Sequence, residues 1–323
     1  MKKNTKKLLA LLLALSLSLL AMAGCSNTSQ PAPDASNESG AADVSDSALE
    51  SQDPSSADSS SDTGKKVLLV VSFGTSYNDN RDLSIGSIEN ALQTAYPEYE
   101  VRRAFTSQII IDKLKERDGL EIDNVTQAMD RLVADGIKEV IIQPTHVMNG
   151  YEYDDVIAEV TPYEDKFDSF KVGDPLLISD DDYKEVVSIL TEQTKEYNVP
   201  ETAIVFMGHG TEHEANATYA KLQQFLIDGG YNNYFIGTVE ATPSLEDVLA
   251  LVKDSGAQKV VLLPLMIVAG DHANNDMAGD EEDSWKSVFE KEGFEVQCVL
   301  EGLGQYAGIQ NMFVQHVEKL MAE

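Results

Sequence analysis

"KEVIIQPTHVMNG" at Lys138–Gly150 and "QKVVLLPLMIVAG" at Gln258–Gly270 are one pattern written twice. In each, a short apolar run rich in β-branched residues reaches a proline, and a glycine follows six positions later. Such a run reads as a strand buried on both faces. A second pair agrees with the first: "VVSFGTS" at Val70–Ser76 matches "VFMGHGTE" at Val205–Glu212, which lays Gly74-Thr75 on Gly210-Thr211. "AFTS" and "VEATP" pair more weakly. The chain therefore reads as two similar halves joined near residues 195–200.

Seven runs carry strand character: "VLLVVSF", "EYEVRRAF", "EVIIQP", "AIVFMG", "NYFIGTV", "KVVLLPLMIV" and "FEVQCVL". Stretches of helical period alternate with them, the signature of parallel sheets built from βαβ units. The expected fold is α/β with two lobes, residues 65–197 and 198–323, each a parallel sheet flanked by helices. Ligands of such sheets bind beyond the carboxyl ends of the strands, which places a site in the crevice between the lobes.

The chain ahead of Lys65 has a different character. Residues 1–24 hold four lysines, an apolar run and then small residues before Cys25, the form of an export signal with a lipoprotein processing site. Met22 stands where leucine is usual at such sites. Cys25 is the expected lipidation point, and residues 25–64, rich in Ser and Asp, read as a disordered tether. The protein is then expected to sit outside the cytoplasm, joined to the membrane through lipid alone. Of 24 basic and 55 acidic residues, four basic ones lie in the signal, so the mature chain carries 20 − 55 = −35. That charge argues against a nucleic-acid partner. Cys298 has no mate within the folded region, so no internal disulfide forms there.

Three side chains with metal-binding chemistry follow strands of the second half: His209 after "AIVFMG", Glu240 after "NYFIGTV" and His272 after "KVVLLPLMIVAG". Two imidazoles and a carboxylate suit Co, Ni, Fe or Zn and leave coordination positions open. Each also has a plainer reading. Asp271 beside His272 reads as a helix cap, and Glu240 reads as an acid near a helix N-terminus. Glycines on both sides of His209 favour a site residue, because they let a ligand approach the backbone. His146, at the matching rim of the first half, either touches substrate or is structural. Ser72, Phe73, Gly74, Thr75 and Ser76 offer hydroxyls and N–H groups at a strand-to-helix turn, suited to carboxylate or phosphate. No P-loop lysine is there. His213 is expected either just behind the site residues or at the rim, His316 in solvent. The acidic run "DMAGDEEDSW" is either a solvated face or a device that concentrates cations near His272.

Together, "VVSFGTSY", "AFTS", "QPTHVMNGYEYD", "FMGHGTEHEAN", "GTVEATPS", "LPLMIVAGDHANNDMAGDEEDSWK" and "GLGQY" resemble the anaerobic sirohydrochlorin cobaltochelatase family, over essentially everything from Lys65 onward. The resemblance implies a class II chelatase fold with the tetrapyrrole in the crevice. It implies insertion of Co2+ into sirohydrochlorin in cobalamin synthesis, with Fe2+, Ni2+ or Zn2+ fitting the same ligands. The family's metal-binding residues fall on His209, Glu240 and His272, and its catalytic base on His209. Arg81, Arg102 and Arg103 are candidates to meet the substrate's carboxylates. An exported, non-catalytic tetrapyrrole- or metal-binding lipoprotein is the competing reading.

Overall fold

A computed structural model describes residues 65–322. Cys25, the export signal and the tether lie outside the described residues. Two four-stranded parallel sheets carry the fold. In the first, β1 (Lys66–Ser72) lies between β2 (Glu100–Phe105) and β3 (Glu139–Pro144), and β4 (Ser169–Val172) pairs with β3 at the edge. In the second, β5 (Thr202–Gly208) lies between β6 (Tyr234–Thr238) and β7 (Lys259–Pro264), with β8 (Glu295–Cys298) at the edge. The two strand orders are identical, as the repeat requires.

Nine α-helices are described: α1 (Asn78–Ala95), α2 (Gln108–Asp118), α3 (Val125–Ala134), α4 (Tyr151–Val160), α5 (Asp180–Gln193), α6 (Ala217–Asp228), α7 (Leu245–Asp254), α8 (Trp285–Lys291) and α9 (Ala307–Ala322). Capping boxes start three of them, Asn124 with Gln127, Ser179 with Asp182 and Ser244 with Asp247, each satisfying N–H groups that a helix start leaves unpaired.

The central strands are predominantly apolar because both faces are covered. Leu68 and Val70 of β1 share one core with Ile204 and Phe206 of β5, together with buried residues of α1, α5, α6 and α9. The alternate residues Val67, Leu69 and Val71 face a separate core with α3 and α4. Ala203, Val205 and Met207 do likewise with α7 and α8. The shared core joins the lobes into one compact unit.

The expected division at 197/198 falls in the connection between α5 and β5, yet α9, the last element, packs on α1, α5 and β3. That docking corrects the reading of His316 as solvated. Ile309, Met312, Phe313 and His316 recur at helical spacing on the buried face of α9, and His316 Nε2 lies 3.2 Å from Asp182 Oδ1. Burial pushes the Asp182 carboxyl up, but bonds from Ser179 and His316 outweigh it and hold the pKa below its usual value.

Two strand readings also change. β4 was not among the expected strands: "SFKV" is four residues long and only half-buried. The run "KVVLLPLMIV" leaves the ladder at Pro264, so Leu265–Val268 line the crevice instead.

Candidate active site

A crevice of about 550 Å³ lies between the lobes, beyond the carboxyl ends of β1, β3, β5 and β7. His209, Glu240 and His272 meet on its second-lobe wall, each offering one ligand atom, and these atoms all lie within 4.8 Å of one another. Backbone pairing explains how residues so far apart in sequence converge. The β5–β6 ladder continues past the strand ends, with Val239 N–H donating to the Gly208 carbonyl and Glu240 N–H to that of His209, at 2.9 Å. His209 Nδ1 then stands 4.0 Å from Glu240 Oε2. His272 follows β7 on a short helical turn, and its ring meets that of His209 edge-on, centroids 4.7 Å apart.

The glycines of the repeat make these turns possible. Gly74 and Gly210 both adopt left-handed backbone, with φ of +98° and +87°. A Cβ on Gly210 would stand 2.8 Å from the Ala241 nitrogen, and one on Gly74 would strike the Phe105 ring. Beneath the Gly-His-Gly turn, the Tyr219 hydroxyl accepts the Gly210 N–H at 3.2 Å. Burial pushes the Tyr219 phenol up, against the opposing effect of backbone bonds from Gly210 and His209, so it stays neutral.

Each histidine has one nitrogen already engaged. His209 Nδ1 lies 2.8 Å from the Gly210 carbonyl, which only accepts, so Nδ1 carries the hydrogen. His272 Nδ1 lies 2.7 Å from Asp276 Oδ2. The cap reading of Asp271 finds no support in the bonding. The Asp271 carboxylate accepts from the Asn275 side chain at 2.9 Å and not from a backbone N–H. The helix after Glu240 is capped by Ser244.

The first-lobe wall is different in kind. Aligning Gly74 with Gly210 puts Phe73 in the place of His209, and aligning Gly150 with Gly270 puts Glu152 in that of His272. Phe73 is 46 % exposed and lines the crevice beside Ile110, Met148 and Tyr151, so this wall offers apolar faces in place of a ligand set. Ser72, Thr75 and Ser76 are buried at the crevice floor, and the Ser72 hydroxyl accepts from Thr145 at 2.8 Å, tying the ends of β1 and β3 together. His213 Nε2 reaches Asp154 of the first lobe at 3.5 Å, and its ring meets Tyr151 edge-on.

Among the described residues no lysine or arginine lines the crevice, whereas Glu152, Glu212, Glu240 and Asp271 all do. Arg81 pairs with Asp82, Arg102 with Glu100 and Asp135, and Arg103 with Glu89, so none of the three candidate arginines faces it. Arg117 is paired as well, with Asp118. It lines an adjoining cavity of about 570 Å³ that shares Ser76 and Tyr77 with the crevice.

His146 lines the crevice, but its ring nitrogens are buried and have no hydrogen-bond partner among the described residues. Burial holds its pKa down, at about 4. In the unfolded chain the imidazole titrates near pH ~6.5, so acidification through this interval favours unfolding, with the full penalty reached below the folded value. Met266 occupies the equivalent place in the second half, which makes His146→Met the informative replacement. Between pH ~7 and ~4.5, urea denaturation should show this variant losing about 2 kcal/mol less stability than wild type. Equal losses would contradict the assignment of a neutral, buried imidazole.

Comparison with known proteins fits this geometry. The family model described as cobalt chelatase (CbiK) matches residues 66–322. The chain belongs to the cobalt chelatase family. It is 41% identical over 257 residues to a protein of Salmonella typhimurium named sirohydrochlorin cobaltochelatase, covering 80% of this chain and 97% of that one. It is 31% identical over 255 residues to sirohydrochlorin cobaltochelatase CbiKC of Nitratidesulfovibrio vulgaris, covering 78% and 89%. Among solved structures, SirB from Bacillus subtilis with Fe3+ superposes with a TM-score of 0.56 at 14% identity, covering 80% of this chain and 96% of that one. At that identity the likeness concerns the fold alone, which is that of the chelatases.

Proposed function

We propose that this cobalt chelatase family member inserts Co2+ into sirohydrochlorin, releasing two protons. The observation that carries the reading is the convergence of His209, Glu240 and His272 on a crevice wall in a chain 41% identical to a named sirohydrochlorin cobaltochelatase. Three side-chain ligands hold a divalent ion while leaving positions for incoming pyrrole nitrogens. The carboxylates of the crevice, with no cation among them, raise the local concentration of the metal substrate. The apolar wall around Phe73 receives the face of the macrocycle.

During insertion two pyrrole N–H bonds break. Each electron pair stays on its nitrogen and becomes a bond to Co2+. As the ion passes to the ring, the His209 nitrogen that held it is released and takes one of the protons, since neutral imidazole is a competent base near pH ~7, and the second proton passes to solvent water at the open crevice. Fe2+, Ni2+ and Zn2+ suit the same donors, so the preference for cobalt rests on kinship and supply more than on ligand type.

The amino-terminal residues support a further part of this reading, that the enzyme is exported and held at the membrane by lipid on Cys25. Two or more acyl chains are needed for stable anchoring. Wild-type chains that incorporate no labelled lipid would refute it.

The deciding assay for the function is multiple turnover under anaerobic conditions. Full-length protein supplied with sirohydrochlorin and Co2+ should produce many equivalents of the cobalt product. Binding of the tetrapyrrole without metallation would favour a non-catalytic receptor.

A further inference from the structure

We propose that Asp276 is a positioning residue that makes His272 the anchoring ligand for Co2+ and leaves His209 as the ligand that lets go. The inference rests on the metal-site reading above. The two histidines of the site are oriented by chemically different acceptors. His272 Nδ1 donates to the Asp276 carboxylate at 2.7 Å, a length typical of charge-assisted bonds. His209 Nδ1 donates to the neutral Gly210 carbonyl at 2.8 Å. A carboxylate on the far nitrogen fixes the tautomer, directs the lone pair of Nε2 to the metal and makes that nitrogen the stronger donor. A carbonyl fixes the tautomer with much less added donor strength.

Asp276 is set apart from the acidic run that follows it. Asp280 pairs with Lys286 at 2.7 Å, away from the histidines. Asp276 lies four residues after His272 on a single π-helical turn, Ala273–Met277, closed by the Ala278 N–H bonding to the Ala273 carbonyl at 3.2 Å. Such widened turns re-aim side chains, and they recur at functional sites. The consequence is a division of labour. The ion stays on His272 while the ring nitrogens displace His209, and the freed His209 is then available for the pyrrole proton.

The test is a titration of Co2+ alone, followed by the visible absorption of the bound ion, into the full chain of wild type, Asp276→Asn, Asp276→Glu and His272→Ala. Steady-state insertion is measured in parallel. Asp276→Asn keeps the shape and removes the charge, so its Co2+ affinity should fall about 10–100-fold. The KM for Co2+ should rise in proportion, with kcat changing less than about threefold, and Asp276→Glu should recover part of the affinity. Metal-free melting temperatures should match, because the Asp276 side chain is 45 % exposed. If Asp276→Asn bound Co2+ like wild type while His272→Ala bound it weakly, the positioning role would be overturned and the metal site would stand. If His272→Ala also bound it normally, the site reading itself would fail. A fall in kcat matching the fall in affinity would overturn the division between the two histidines.

Discussion

His209→Ala should lose cobalt insertion by about three orders of magnitude, the largest effect of any single side chain in this account. Loss of a general base alone typically costs about 10²–10⁴ in rate, and here the same substitution also removes one of the three proposed metal ligands. The fold should be untouched, because the side chain is 49 % exposed and its hydrogen bond runs only to the next residue's carbonyl. Single-turnover insertion with a fixed excess of Co2+ separates the two losses. If saturating Co2+ restored the rate fully, His209 would be a ligand only, and the assignment of proton transfer to it would be wrong.

Gly210→Ala should damage stability and activity together. At φ of +87° an L-residue is strained by about 1–2 kcal/mol. The added Cβ would also stand 2.8 Å from the Ala241 nitrogen and 2.9 Å from Thr238 Cβ. Relief requires moving the turn that carries Glu240 away from His209. The melting temperature is expected to fall by at least about 5 °C, and insertion should be nearly lost. Gly256→Ala is the control. Its φ is +77°, but its Cβ would meet nothing within 4 Å, so it carries the backbone strain alone and should keep normal insertion. Equal behaviour of the two variants would show that the Gly210 turn does not hold the site together.

The sequence made the architecture legible where physical constraints leave a periodic mark. Strands buried on both faces have to be apolar throughout, and the repeated proline and glycine positions reveal a duplicated lobe. The half-buried β4 escaped because an edge strand of four residues has little pattern to show. The expectation of a solvated His316 fails because Ile309, Met312, Phe313 and His316 mark one buried face of a helix.

In the site, the three ligand candidates could be named because each follows a strand and parallel strands deliver their ends to one rim. Asp276 could not be separated from the acidic run around it, since only the π-helical turn distinguishes it from its neighbours. Nothing in the sequence marks Tyr219; only the fold brings its hydroxyl beneath the Gly-His-Gly turn. Among the described residues, the arginines are held away from the crevice by pairings such as Arg103 with Glu89, which no spacing rule reports.

The central claim is that His209, Glu240 and His272 together hold the metal that is inserted. Calorimetric titration of Co2+ into wild type, His209→Ala, Glu240→Gln and His272→Ala, without tetrapyrrole, tests it most directly. Wild type should bind one Co2+ per chain, and every variant should bind at least about tenfold more weakly, a loss of about 1.4 kcal/mol or more for each ligand removed. Wild-type affinity in any one of the three would contradict it.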